Sequence, residues 1–205
     1  MKPLFEQLTA DIRFQEGLTA CINCGTCTAI CPAAQFSDYD PRMLLDSIQR
    51  KDESVLEKVL KGDTIWRCGE CLSCKTRCPR GNTPAYVIQA LRALSIKTGL
   101  FAESEQGRLQ LRIKRSVGEY ILKYGYCIFI DEINTDYFPE QGPIWDWYRD
   151  NRIEILKRLG ANYNNPGPGA LRKIPDQSLE DLKAIFIETG AMERFDQIEK
   201  GSAKE

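Results

Sequence analysis

Nine cysteines and no histidine set the chemistry open to this 205-residue chain. Eight of the cysteines fall into two short runs. The first reads Cys21-Ile22-Asn23-Cys24-Gly25-Thr26-Cys27-Thr28-Ala29-Ile30-Cys31-Pro32, and the second Cys68-Gly69-Glu70-Cys71-Leu72-Ser73-Cys74-Lys75-Thr76-Arg77-Cys78-Pro79. Both follow C-x2-C-x2-C-x3-C-P. The lack of histidine excludes His-ligated haem, Rieske centres, zinc sites with imidazole ligands and any Ser–His or Cys–His nucleophile pair. What remains is thiolate chemistry.

This spacing is that of the bacterial two-cluster ferredoxins, and its repetition with the proline included makes coincidence a poor explanation. Three cysteines at two-residue gaps wrap one corner of a [4Fe–4S] cubane, each thiolate meeting a different iron. The short gaps bring backbone N–H groups toward the sulfurs, where hydrogen bonds tune the potential. Gly25 and Gly69 are expected where the backbone passes closest. The proline after the fourth cysteine fixes φ, removes a donor and turns the chain away, aiming that cysteine at the other cluster. One cluster is therefore assigned Cys21, Cys24, Cys27 and Cys78, and the other Cys68, Cys71, Cys74 and Cys31. Reduction adds negative charge, so Arg67, Lys75, Arg77 and Arg80 near the second run would raise its potential unless they point into screening solvent.

The competing readings of the cysteines are weaker. A disulfide framework suits small secreted domains, and no secretory signal opens this chain. Two thiolate-bound zinc ions are the more serious rival, as an adaptor module. Zinc ribbons, however, draw C-x2-C pairs from two distant loops rather than four cysteines from one run. A [3Fe–4S] centre would follow from a missing ligand, and none is missing. Cys127, alone in an apolar run, reads as a small core residue.

The elements that must hold these loops read as helices. Leu4, Leu8, Ile12 and Leu18 are packing anchors in a short lead-in. Between the runs, Pro41–Lys51 and Glu53–Lys61 carry helical apolar periodicity, with Asp40 capping the first and a Ser54/Glu57 capping box and Gly62 bounding the second. Pro84–Thr98 follows, with Val87, Ile88, Leu91 and Leu94 on one face and Gly99 at its end. The expected fold is mainly α: an α-helical ferredoxin domain over residues 1–100, its core from about residue 15, and a loop-rich helical C-terminal extension over 101–205.

In that extension Glu105–Tyr124 is an amphipathic helix with Leu109, Ile113, Val117, Tyr120 and Tyr124 on one face and a solvated arginine stripe on another. Gly125–Ile130 reads as a short strand or a buried extended segment, and Pro143–Leu159 as a helix bearing Trp145, Trp147 and Tyr148. Residues 162–175 form a loop rich in Asn, Pro and Gly. Ser178–Thr189 is a final helix capped by Ser178, and residues 200–205 are a disordered tail. The aromatics of the extension suit either core packing or a partner-docking surface. No metal-ligand cluster, phosphate loop or nucleophile elbow occurs there.

Cys21–Pro32, the Asp40-Pro41-Arg42 turn, Ile65-Trp66-Arg67-Cys68, and Cys71–Pro79 with Arg80-Gly81 together resemble the C subunit of heterodisulfide reductase. That resemblance is close over about residues 15–100 and loose beyond. It implies a relay of two [4Fe–4S] clusters passing electrons between a flavin- and cluster-bearing A-type subunit and a B-type subunit that acts on disulfides through CCG motifs. No adjacent cysteine pair occurs here, so the chain is not expected to do that chemistry itself. Relatives in sulfur oxidation share the plan, and that branch is the one expected. Cousins with the same helical domain include succinate dehydrogenase, whose plant-type motif is absent, and glycolate oxidase, whose CCG motifs are absent. A glycerol-3-phosphate dehydrogenase-like complex is the alternative home.

Charge adds little: 28 Lys+Arg against 29 Asp+Glu offers no electrostatic pull toward nucleic acid. With no apolar run long enough to span a bilayer, the expected location is cytoplasmic. The chain reads as a non-catalytic electron carrier.

Overall fold

Aspartate and proline set the helix starts that matter most here. Asp40 accepts hydrogen bonds from the Arg42 and Met43 amides, and Pro41 at the first helical position fixes φ where no N–H is needed. The structure, a computed structural model, describes residues 2–202 apart from 134, 137, 138, 140 and 141. Two short helices, α1 (Leu4–Thr9) and α2 (Ile12–Gly17), precede the first cysteine run, which contains α3 (Thr26–Ala29). The linker holds α4 (Pro32–Phe36), α5 (Pro41–Gln49) and α6 (Glu53–Lys61). After the second run come α7 (Pro84–Thr98) and α8 (Glu105–Tyr124), then α9 (Pro143–Asp150), α10 (Arg152–Arg158), α11 (Asp176–Glu188) and α12 (Ala191–Ser202). The fold is mainly α, with no strand among the described residues.

The chain divides into two compact units: Met1–Leu111 with Arg194–Glu205, and Arg112–Glu193. In the first, α7 is the axis. Ten of its fifteen residues are buried, as expected of a helix surrounded by others. Leu44, Leu45 and Ile48 of α5, Leu56 and Leu60 of α6, and Leu8 of α1 pack around it. Gly107 allows α8 to lie against the Trp66 indole; a Cβ there would stand 2.8 Å from Nε1. Ile198 of α12 also joins this core. In the second unit Ile130, Ile133 and Leu156 gather with Trp145 and Tyr148.

Several sequence expectations need correction. The cap of α6 is Asp52, whose carboxylate accepts from the Ser54 and Val55 amides; with an aspartate two residues earlier, Ser54 becomes a helical residue. The 143–159 helix breaks at Asn151, whose side-chain amide donates to the Trp147 carbonyl and competes with the backbone ladder. Helix α11 begins at Asp176 after Pro175, leaving Ser178 inside it, and it is not the last helix. Lys200 lies within α12, while residues 203–205 fall outside the described part. The apolar face expected of α8 exposes Leu109 and Ile113, and burial runs instead through Gly107, Leu111 and Gly118. Ile12, a supposed anchor, is exposed.

The 125–130 segment is not a strand, and only its end, Phe129 and Ile130, is buried. Gly125 turns the chain at φ 78°, sending Phe129 inward to stack on Tyr124 at 4.0 Å between ring centroids. Cys127 is thereby left exposed, contrary to its reading as a core residue. No helix among the described residues is long and apolar enough to cross a membrane.

Candidate metal centre

The two cysteine runs fold alike down to single residues. In each, the third residue is left-handed (Asn23 at φ 62°, Glu70 at φ 54°), and so is the fifth (Gly25 at φ 80°, Leu72 at φ 60°). Turning the backbone this way points amides at sulfur. The Asn23 N–H donates to Cys21 Sγ at 3.4 Å, and the Glu70 N–H donates to Cys68 Sγ at the same distance. A hydroxyl follows the second cysteine of each run: Thr26 Oγ1 lies 3.4 Å from Cys24 Sγ, and Ser73 Oγ 3.4 Å from Cys71 Sγ. These hydroxyls hold the Cys24 and Cys71 thiols below the ordinary thiol value. Burial pushes Cys27, Cys68 and Cys74 the other way. Gly25 needs its glycine for φ. At Gly69 no protein atom lies within 4 Å of where a Cβ would stand, so close protein approach is not its reason.

The eight thiols ring two cavities. Cys21, Cys24, Cys27 and Cys78 line one, of about 340 Å³ counting its open mouth. Cys31, Cys68, Cys71 and Cys74 line the other, of about 610 Å³ on the same footing. Cys27 and Pro84 face both, so the cavities share a wall. Among the described residues no three Cys, Asp or Glu side chains converge on a single ion-sized point. Zinc would require thiolates gathered at about 2.3 Å from one ion. Thiols spread around a larger space fit a body that gives each its own metal, as a four-iron cluster does. The donor set, the N–H···S bonds and the cavities fit that group.

Helices and polar side chains hold the two loops. Gln49 of α5 brackets Cys21, accepting its N–H at 2.7 Å and donating to its carbonyl at 3.2 Å. Asn82, 2% exposed, accepts from the Thr19 amide and donates to the Ala20 carbonyl. The second loop is held by a charge. Arg92 of α7 donates to the carbonyls of Ile65 and Cys68, at 2.7 Å each, and pairs with the Glu70 carboxylate. Its guanidinium also lies over the Trp66 ring. Tyr39, 2% exposed, lines the second cavity. Burial, and then the Cys68, Cys31 and Cys74 sulfurs, push its phenol far above the ordinary value.

Of the cations singled out from the sequence, Arg67 lines the second cavity but pairs with Asp38. Lys75 lies over the Tyr86 ring, and Arg77 is exposed. Arg80 lines the first cavity, because Cys78 carries its neighbours there. Sequence reading missed Tyr39, Arg92, Gln49 and Asn82. An arginine amid the apolar residues of α7 was a visible signal, and so was a hydroxyl at the same place in both runs.

Comparison with known proteins points one way. The family described as a 4Fe-4S dicluster domain matches residues 17–82. The chain is 45% identical over 104 residues to the C subunit of the ferredoxin:CoB-CoM heterodisulfide reductase of Methanosarcina acetivorans, covering 50% of this chain and 40% of that protein. It is 30% identical over 134 residues to the iron-sulfur C subunit of the CoB–CoM heterodisulfide reductase of Methanopyrus kandleri, covering 64% and 60%. It is 32% identical over 183 residues to the second iron-sulfur C subunit of the CoB–CoM heterodisulfide reductase of Methanocaldococcus jannaschii, covering 89% and 77%. The first two alignments thus span only about half the relatives' length.

Proposed function

The chain belongs to the family of heterodisulfide reductase C subunits, and from that premise we propose that it is the electron-relay subunit of a heterodisulfide reductase-type complex, holding two [4Fe–4S] clusters. The observation carrying this reading is the pair of adjoining cavities, one lined by Cys21, Cys24, Cys27 and Cys78 and the other by Cys31, Cys68, Cys71 and Cys74, with Cys27 on the wall they share. Cys21, Cys24, Cys27 and Cys78 hold one cluster, and Cys31, Cys68, Cys71 and Cys74 the other. When bound, such clusters supply one-electron storage and release.

The protein's part is to position and tune. Asn23 and Glu70 aim amides at sulfur, Thr26 and Ser73 add hydroxyls, and the shared wall at Cys27 and Pro84 keeps the transfer distance short. Without an adjacent cysteine pair, disulfide chemistry falls to a partner. The partners are a flavin-binding A-type subunit and a CCG-motif B-type subunit, in the cytoplasm. Exposed apolar side chains of the 112–193 unit, among them Ile144, Trp147 and Ile187, support a docking role for the extension. The relatives' names carry the CoB–CoM heterodisulfide, which favours that branch over sulfur oxidation.

Anaerobic affinity purification from the source cells tests the proposal. About eight iron and eight sulfide per chain, together with recovery of a CCG-motif protein and a flavin-binding protein, is the expected result. Stoichiometric zinc without sulfide would overturn the relay. A membrane anchor or an unrelated dehydrogenase in place of those two proteins would overturn the choice of complex.

A further inference from the structure

The near-identity of the two loops makes the differences between their cavity walls informative. Each first cysteine accepts an amide from two residues on, and each second cysteine has a hydroxyl neighbour. Tyr39 has no such counterpart: no aromatic side chain lines the first cavity among the described residues. That cavity has Arg42 and Arg80, where the second has Arg67 paired with Asp38. Arg42 is paired with Asp40, and Arg80 is exposed, so solvent and counter-charge damp both. Tyr39 sits just before the turn into α5, packed in the core beside Cys31 and Cys68. Its backbone amide donates to Ser37 Oγ at 3.4 Å, and its buried side chain lines the cavity together with Cys31, Cys68 and Cys74.

We propose that Tyr39 is a positioning residue for the second cavity: its buried phenol, on the wall it shares with Cys68, donates its O–H to a thiolate sulfur there, which raises the reduction potential of the cluster held in that cavity and makes it the place where an electron settles in transit. The proposal rests on the relay reading above. One electron, delivered by a partner's flavin or iron–sulfur carrier, adds negative charge that is shared with the thiolate sulfurs. The O–H···S bond then strengthens, and the phenol keeps its proton. No covalent bond forms or breaks. A dipole fixed in a site with almost no solvent favours the charged state more than a surface cation does.

The test compares the intact holoprotein with Tyr39→Phe, which keeps the ring in the core. Iron and sulfide are assayed first, so that a chain lacking clusters counts against the relay reading and not against this one. In an EPR-monitored redox titration, one of the two reduction steps should become less favourable by about tenfold, which is about 59 mV for a one-electron couple, while the other stays put. Two unmoved steps, or two steps moving together, would overturn the proposal. Site-specific 3-fluorotyrosine at position 39 provides a variant with a stronger donor and almost the same shape. It should move that same step upward, and no upward shift would be equally fatal.

Discussion

Arg92 commits nearly its whole guanidinium to the second cysteine loop, bonding two carbonyls and the Glu70 carboxylate from a site where its side chain is 7% exposed. Removing one partner of such a buried pair leaves the other uncompensated and carbonyls unmet. Arg92→Met should therefore destabilise the protein by about 3 kcal/mol, measured by urea unfolding. Arg92→Lys should rescue only a small part, since an ammonium cannot span three acceptors with one planar fork. This residue also marks where sequence reading stops. The thiols announced themselves by spacing, and their crossed division between two clusters is the proposed one, with Cys27 lining both cavities. The groups holding the loops did not, because Gln49, Asn82 and Arg92 lie 28, 62 and 24 residues from the backbone atoms they bond. Only the packed chain brings them together.

At the scale of elements, helix bounds set by proline and glycine were the readable features, while the caps expected at Ser54 and Ser178 were not. The bounds of α6, α7 and α8 follow the sequence pattern because each begins or ends at an aspartate, proline or glycine with a local reason to be there. The misread elements lack such local reasons. The break at Asn151 depends on one side chain choosing a carbonyl, and α12 is held by Ile198 reaching a core about a hundred residues distant in the chain. Asp40 offers a test at this level. Burial raises its carboxyl, but the Thr28 hydroxyl, the Met43 amide and Arg42 outweigh that and hold it below the usual range. A depressed carboxylate lends stability that is complete above its unfolded value, about 3.9, and is lost as pH falls through its folded value. Asp40→Ala should cost about 1 kcal/mol at pH 7. The gap to the parent should narrow in denaturation curves taken at pH 3.

Over the whole molecule, the return of the C-terminal residues to the first unit is the feature local patterns could not supply. Arg194–Glu205 group with Met1–Leu111, Ile198 is 4% exposed, and Gly201 lies against the Phe101 ring with no room for a side chain. Ile198→Ala should lower the unfolding free energy by about 3 kcal/mol, read from equilibrium urea curves. A loss under about 0.5 kcal/mol, typical of surface substitutions, would mean that α12 does not dock.

The proposed exchange of fourth cysteines between the loops would also impose an order of events on biosynthesis. The first cavity opens with Cys21 but lacks its last thiol until Cys78 has left the ribosome, after the second cavity has been completed by Cys74. At about 5–20 residues per second, the nascent chain carries an unfinished trio of thiols for several seconds. Metal offered in that interval meets Cys31 of the same run rather than Cys78 as a fourth thiol. On the proposed division the first site is complete only once both loops exist, and a chain truncated between them would keep the first run without its partner cysteine from the second.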